Sequence, residues 1–187
     1  MKPLFGSLRN VAETIGLIKK SPFGEIISKA WRKGEECTEK DFGAIVQFTL
    51  KDIYYKDDYS CEYESKKGDT IVVVRYEVEI LEAKYPIPGE LLNLHLSEGN
   101  EEACEIVTDL VREELGYVGA NCRLLNQGEI IEVVCAYPVR KKVLEKKKSI
   151  ALFPIFAVYG EENDECLGSE FVVPLEDVED LTRKPIR

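Results

Sequence analysis

The sequence predicts an α/β fold in which helices cover a mixed sheet. A periodic apolar pattern over residues 101–115 indicates a long helix near the middle of the chain. Segments rich in β-branched residues lie on both sides of this helix, and an acidic segment, 175–181, follows them as a short helix or turn. Such an order is typical of a sheet layered with helices. The strand-like segments are residues 44–50, 70–80, 130–137, 150–159 and 170–174.

The first forty residues are predicted to hold a helix and a connecting segment. Apolar residues between 7 and 20 recur at helical spacing, and an organellar transit peptide is the alternative for this stretch. Residues 24–33 form either a short strand or a second helix, in which Trp31 is an apolar anchor whose indole N–H needs an acceptor. We therefore divide the chain into a helical and linking segment, 1–41, and a main domain, 42–187.

The polar side of the predicted central helix carries a row of carboxylates. Glu105, Asp109 and Glu113 follow one another at four-residue intervals, so they lie one turn apart on one line. Such a row can hold Mg²⁺, which prefers oxygen ligands. The alternative is a solvated acidic face, which is the ordinary case for an amphipathic helix. Gly116 can adopt the left-handed conformation that ends the helix.

Residues 90–117 resemble the Nudix box of the Nudix hydrolases, in which a loop and a helix present glutamates to magnesium. Glu90 matches the leading glutamate of the family pattern, and Gly99 matches its inner glycine. Glu113 and Glu114 match its paired glutamates. The resemblance extends over roughly residues 42–181 in the order of the strands and helices.

Several positions depart from the Nudix pattern, and Thr108 with Asp109 stand in place of its R-E pair when the register is carried from Gly99. Leu94 stands in place of the opening glycine, and Asn100 stands in place of the first glutamate. Arg112 falls where a metal-binding glutamate is expected if Glu113 is aligned with the paired glutamates. These departures argue for reduced or lost catalysis.

The resemblance implies a Nudix-like α/β/α sandwich with a mixed sheet. It also implies an ADP-ribose or nucleoside-diphosphate-sugar pyrophosphatase that uses Mg²⁺ or Mn²⁺ to activate water, with activity weak or lost. Asp109 and Glu113 would be the catalytic residues, and Glu105 and Glu114 would join them as metal ligands. The alternative is a catalytically inactive Nudix-fold module that binds nucleotides or another protein. Related pyrophosphatases are often dimers, so a homodimer is a further expectation.

Candidate substrate contacts are basic residues outside the box. Arg75 is a weak substitute for the arginine that the family carries at the end of its second strand. The segment 139–149 joins two predicted strands and holds six basic residues, of which Arg140, Lys146, Lys147 and Lys148 are the predicted phosphate contacts. The alternative for this segment is a solvated hairpin tip.

Composition limits the remaining function classes. The chain has 187 residues, 44% of them hydrophobic, and a net charge of −10, which argues against nucleic-acid and anionic-membrane binding. Its six cysteines form no C-x-x-C pair, which argues against zinc and disulfides. No apolar run reaches transmembrane length and the N-terminal residues show no signal core, so we expect a reducing, cytoplasmic location.

The single histidine, His95, has two interpretations. It alternates with Leu94 and Leu96 on a segment predicted to be extended. An imidazole there could act as a general base or a metal ligand. The simpler interpretation is a histidine that faces solvent opposite two core leucines.

Overall fold

The structure is a computed structural model that describes residues 18–21, 24–41, 43–57, 69–97, 103–104, 123–154 and 168–182. These residues form strands, one α-helical turn, α1 (Lys141–Leu144), and two 3-10 turns (Gly89–Leu92 and Leu175–Asp177). The strands are β1 (Ile18–Ser21), β2 (Gly24–Ala30), β3 (Glu36–Asp41), β4 (Ala44–Lys56), β5 (Asp69–Ala83), β6 (Ile87–Pro88), β7 (Leu94–Ser97), β8 (Ala103–Cys104), β9 (Leu124–Leu125), β10 (Ile130–Arg140), β11 (Ser149–Pro154), β12 (Gly168–Pro174) and β13 (Glu179–Asp180).

Two large sheets contain most of these strands. The first has the order β1-β2-β12-β11-β7-β8, and the second has the order β10-β5-β4-β13 with β3 also paired to β4. Neighbours are antiparallel except β2 with β12 and β4 with β13. The short strands β6 and β9 form a separate two-stranded sheet.

The longest strands, β4 and β5, form the centre of the second sheet. Alternate residues of β4 are buried over 44–50, as expected for a strand with one face on a core. The pairing of β4 with β5 shifts register between Leu50 and Asp52, where a bulge reverses which residues face inward. Val73 faces away from the core but is also fully buried, so this part of β5 is covered on both faces.

The hydrophobic core lies between the two sheets. Trp31, which follows β2, and Phe171 of β12 come from the first sheet and have ring centroids 5.0 Å apart. Phe48 of β4 packs on Phe171 at 5.4 Å, and Tyr76 of β5 meets Trp31 edge to face at 6.0 Å. These four aromatic residues are fully buried. Side chains from both sheets therefore fill one layer, which is the arrangement of a β-sandwich.

Two buried tyrosines connect the sheets through hydrogen bonds. The Tyr76 hydroxyl donates to the carbonyl of Leu92 at 2.9 Å and accepts from the amide of Leu94 at 2.9 Å. The Tyr137 hydroxyl donates to the carbonyl of Leu94. Both phenols come from the second sheet, and both hold the chain where it enters β7 of the first sheet.

The sandwich corrects the predicted fold class. An α/β/α sandwich needs helices on both faces of a mixed sheet, whereas the described residues pack one sheet on another and include a single four-residue α-helix. Residues 24–30 are a strand, and 175–177 form a turn. Strands before residue 42 pair with strands after it, because β3 pairs with β4 and β2 with β12.

The central helix predicted over 101–115 cannot be compared with the structure along its length. Ala103 and Cys104 are in strand β8, which pairs with β7. The other residues of that segment lie outside the described residues.

Candidate functional site

One end of the sandwich carries a concentration of basic side chains. We call residues 140–148 the basic corner; they run from the last residue of β10 through α1 to the start of β11. They contain six basic residues and one acidic residue, in a chain whose net charge is −10. Lys147 is half-buried and the other five basic residues are exposed. The exposed ones are Arg140, Lys141, Lys142, Lys146 and Lys148.

The basic corner is anchored to the rest of the fold. Leu144 points into the core and is 9% exposed, so the lysines on either side of it are held near the surface. The amide of Leu175 donates to the carbonyl of Lys148 at 3.0 Å. The Lys141 Nζ lies 2.5 Å from Asp57 Oδ2, and the other oxygen of Asp57 accepts a 2.5 Å hydrogen bond from the Thr70 hydroxyl. The corner is thus fixed to β12 and to the end of β4.

An acidic segment lies beside the basic corner. The acidic strip consists of Glu176, Asp177, Glu179 and Asp180, which directly follow the Leu175 that bonds to Lys148. The strip has its own contacts, because Arg32 reaches Asp177 at 3.2 Å and Glu176 at 3.8 Å. Glu176 and Glu179 are exposed. Opposite charges are therefore adjacent at this end of the sandwich.

Arg75 lies away from the basic corner. Its guanidinium is 2.8 Å from the Glu132 carboxylate on the outer face of the second sheet, and this hydrogen bond raises the pKa of Arg75. Arg75 is opposite Val134, six positions before Arg140 along β10, so the two are about 20 Å apart. The structure places Arg140 and Lys146–Lys148 together in the basic corner. Arg75 does not join them.

The predicted metal ligands remain untested. Glu105, Asp109, Glu113 and Glu114 lie outside the described residues. Among the residues that are described, no group of three or more His, Cys, Asp or Glu side chains could hold a metal ion. The prediction of Mg²⁺ or Mn²⁺ at the acidic segment stays a prediction.

His95 is placed differently from the simple solvent-facing interpretation. Leu94 and Leu96 are buried, as the alternation predicts, and His95 faces away from them. Its Nε2 atom is nevertheless buried and has no hydrogen-bond partner among the residues that the structure describes. Because burial penalises the charged imidazolium, the pKa of His95 is lowered from its ordinary value.

The buried histidine predicts a measurable pH effect on stability. Unfolding returns the pKa of His95 to about 6.5, so the unfolded state binds the proton first as the pH falls. Stability contributed by neutral His95 is thus complete above that pH and is lost as the pH falls below it. We expect the free energy of unfolding to fall more between pH 7 and 5 in the wild type than in His95→Phe. Urea denaturation at each pH measures the free energy of unfolding of both proteins. Since the chain has one histidine, parallel curves for the two proteins would contradict this assignment.

Two buried cysteines are poor nucleophiles. Cys37 and Cys135 are free thiols and both are buried. Burial raises the pKa of Cys37 to about 11, although nearby Lys29 opposes the shift. Burial also raises the pKa of Cys135, whose sulfur lies 3.5 Å from the Tyr76 hydroxyl. The thiolate is the reactive form, so these sites favour an inert thiol.

Sequence reasoning identified the basic segment but missed what holds it. Asp57 lies in a polar, tyrosine-rich stretch that offers no local signal of its contact with Lys141, 84 residues away. Leu144 could have indicated this anchoring, because a single leucine among lysines is the side chain expected to point into a core. In the structure Leu144 is buried. The acidic strip was noted only as an acidic ending to the last predicted segment.

Comparisons with known proteins indicate a fold and no family. No protein-family model matches the chain, and the comparison with curated proteins finds no match. Among solved structures, the Bacillus subtilis protein ycdA, a candidate lipoprotein, matches with a TM-score of 0.51 and 15% identity. The match covers 78% of this chain but only 39% of ycdA, so this chain spans about two fifths of that protein. At this identity the likeness concerns the fold alone.

Two further solved structures match more weakly. A β-sandwich protein from Clostridium difficile matches with a TM-score of 0.47 and 15% identity, over 79% of this chain and 94% of that one. The secreted protein MPT63 of Mycobacterium tuberculosis matches with a TM-score of 0.43 and 10% identity, over 77% and 96%.

These findings overturn the predicted identity. The resemblance to Nudix hydrolases was wrong, because the described strands form two sheets that face each other across one core and not a mixed sheet between helices. The predicted nucleoside-diphosphate-sugar pyrophosphatase activity and the inactive Nudix-fold alternative both depended on that resemblance and are wrong as well. The cytoplasmic location receives no support from these comparisons. No helix among the described residues is long and apolar enough to cross a membrane.

Proposed function

We propose that this protein is a binding module that takes an anionic group, such as the diphosphate of a small molecule, at its basic corner. The observation that carries the proposal is the set of six basic side chains within residues 140–148, five of them exposed and all on a turn fixed to the fold. Arg140, Lys146, Lys147 and Lys148 are the proposed ligand contacts. Arg75 is left out because of its distance from them.

Anchoring matters because binding has an entropic cost. Ordering a loop or a long side chain opposes association, and a turn that is already ordered avoids part of that cost. The buried Leu144 and the bond from Leu175 to Lys148 keep the backbone of the corner in one place before a ligand arrives. Lysine then supplies compact positive charges that suit phosphate oxygens.

The chemistry of the described residues supports binding in preference to catalysis. The buried thiols of Cys37 and Cys135 have raised pKa values, and the imidazole of His95 has a lowered pKa at a nitrogen that water does not reach. None of these three groups lies in the basic corner. A nucleophile or general base would need to be both accessible and placed beside the bound anion.

Removing three charges from the corner is expected to weaken anion binding. The variant Lys146→Gln, Lys147→Gln, Lys148→Gln should bind pyrophosphate and nucleoside diphosphates at least tenfold more weakly than the wild type. Three lysine contacts of about 0.5 kcal/mol each correspond to roughly that factor. Isothermal titration calorimetry at about 0.05 M and 0.3 M salt measures the affinities, and the higher salt should weaken wild-type binding through screening.

A matched variant separates a site from general charge. Lys33→Gln, Lys40→Gln, Lys84→Gln also removes three positive charges, from exposed lysines that all lie outside the corner. This control should bind like the wild type. Equal losses in both variants would show a non-specific charge effect. Absence of binding in the wild type across pyrophosphate and nucleoside diphosphates would overturn the proposed function.

A further inference from the structure

We propose that a second copy of this chain is a partner for the basic corner, through its acidic strip, in a symmetric dimer. The inference rests on the proposed function, because it takes the corner to be a binding surface. It names a macromolecular partner for the same residues that bind a small anion. The two ligands would then compete.

The argument starts from the position of the two charged segments. The hydrogen bond from the Leu175 amide to the Lys148 carbonyl places the start of the strip directly against the end of the corner. Strand β13 then carries Glu179 and Asp180 along the edge of β4, where the Leu181 amide donates to the carbonyl of Tyr55 at 3.1 Å. A positive and a negative segment therefore share one end of the molecule.

A surface of this kind is complementary to itself. In a two-fold dimer the same patch is used by both subunits, so that residue i of one contacts residue j of the other and the reverse. With the two ends facing across such an axis, each corner meets the partner's strip. Every contact between opposite charges is then made twice.

Salt sets the conditions under which this association is observable. The net charge of −10 repels two copies at long range, but charges more than about 8 Å apart are largely screened at physiological ionic strength. Contacts at the interface are shorter than that and persist. We therefore expect weak, reversible dimerisation near 0.1 M salt, and dissociation at about 1 M.

Charge reversal on each segment tests the proposal. The corner variant is Lys142→Glu, Lys146→Glu, Lys148→Glu, and the strip variant is Glu176→Lys, Glu179→Lys. These five residues are exposed. The choice avoids Lys141, which contacts Asp57, and Asp177, which makes the shorter of the two Arg32 contacts at 3.2 Å; the longer one, at 3.8 Å, is to Glu176. Each variant alone should be monomeric, because its corner and its partner's strip carry the same sign. An equimolar mixture should recover dimers, because the two reversed segments match.

Sedimentation velocity from about 10 to 500 μM measures association, and thermal melting confirms that each variant is folded. The control Lys33→Glu, Lys40→Glu, Lys84→Glu should dimerise like the wild type, and pyrophosphate should dissociate wild-type dimers. A wild type that is monomeric throughout, a corner variant that still dimerises, or a mixture that stays monomeric would each overturn the dimer. If pyrophosphate binding still depends on Lys146–Lys148 in those cases, the proposed function stands and only the choice of partner is wrong.

Discussion

Replacing Trp31 with alanine is expected to lower the free energy of unfolding by about 3–5 kcal/mol, the range for deleting a large buried aromatic side chain. Trp31 is fully buried and packs on Tyr76 of one sheet and Phe171 of the other. Its Nε1 donates to the carbonyl of Glu35 at 3.1 Å. The substitution leaves a cavity at the centre of the interface between the sheets and removes the shorter of two hydrogen bonds to that carbonyl, which also accepts from the Leu50 amide at 3.4 Å.

Urea denaturation followed by far-UV circular dichroism measures this loss, since the chain has a single tryptophan and the variant has no indole fluorescence. Trp31→Phe keeps an aromatic ring between Tyr76 and Phe171 and should cost clearly less. Tyr85→Ala is the surface control, because Tyr85 is 68% exposed, and it should change stability by less than about 0.5 kcal/mol. A loss below about 1 kcal/mol for Trp31→Ala would show that the core is not centred on this residue.

Removing the hydroxyl of Tyr76 is expected to cost about 1–3 kcal/mol, the penalty for leaving buried polar groups without partners. In Tyr76→Phe the amide of Leu94 loses its oxygen acceptor, keeping only its contact with the Cys135 sulfur, and the carbonyl of Leu92 loses the Tyr76 donor. Leu92 and Leu94 are fully buried, so water cannot easily replace either bond. The backbone at Leu92–Leu94, where the chain begins β7, should therefore be held less firmly.

Tyr137→Phe is the matched variant for this prediction. It removes the donor to the carbonyl of Leu94. A carbonyl without a partner is tolerated better than an N–H group without one, so its cost should be smaller. Urea denaturation measures both variants, and amide hydrogen exchange at Leu94 should be faster in Tyr76→Phe. An equal or greater loss in Tyr137→Phe would contradict the assigned roles of the two hydroxyls.

Local pattern identified much of the second sheet. Alternation of apolar residues predicts a strand over 44–50, and the structure extends it to β4 (Ala44–Lys56). The run of β-branched residues in 70–80 predicts β5, and its continuous apolar part, 71–74, is buried on both faces. A run of this kind is typical of a strand covered on both sides. The prediction of a sheet between helices came from the order of the elements and from the Nudix resemblance, whereas most of β5 faces a second sheet.

The candidate site was only partly predictable. The sequence by itself placed six basic residues within 140–148, because charge and spacing along the chain are local properties. It could not separate Arg75 from that group, since the separation of about 20 Å follows from the register of β5 with β10. The sequence also did not predict the contact of Asp57 with Lys141, or the position of the acidic strip beside the basic corner. Those contacts join parts of the chain far apart in sequence.

The sequence alone determined the positions of the main strands, the need of Trp31 for an acceptor, and the charge of the basic corner. All three follow from side-chain type, and the strands follow also from the period of two along an extended backbone. Only the tertiary structure decided that the strands form two facing sheets. The same strands can satisfy their backbone hydrogen bonds in either architecture, and the difference lies in which surfaces bury one another. That choice is made by long-range packing, such as Trp31 against Phe171 and Tyr76, and it has no signature in a local motif.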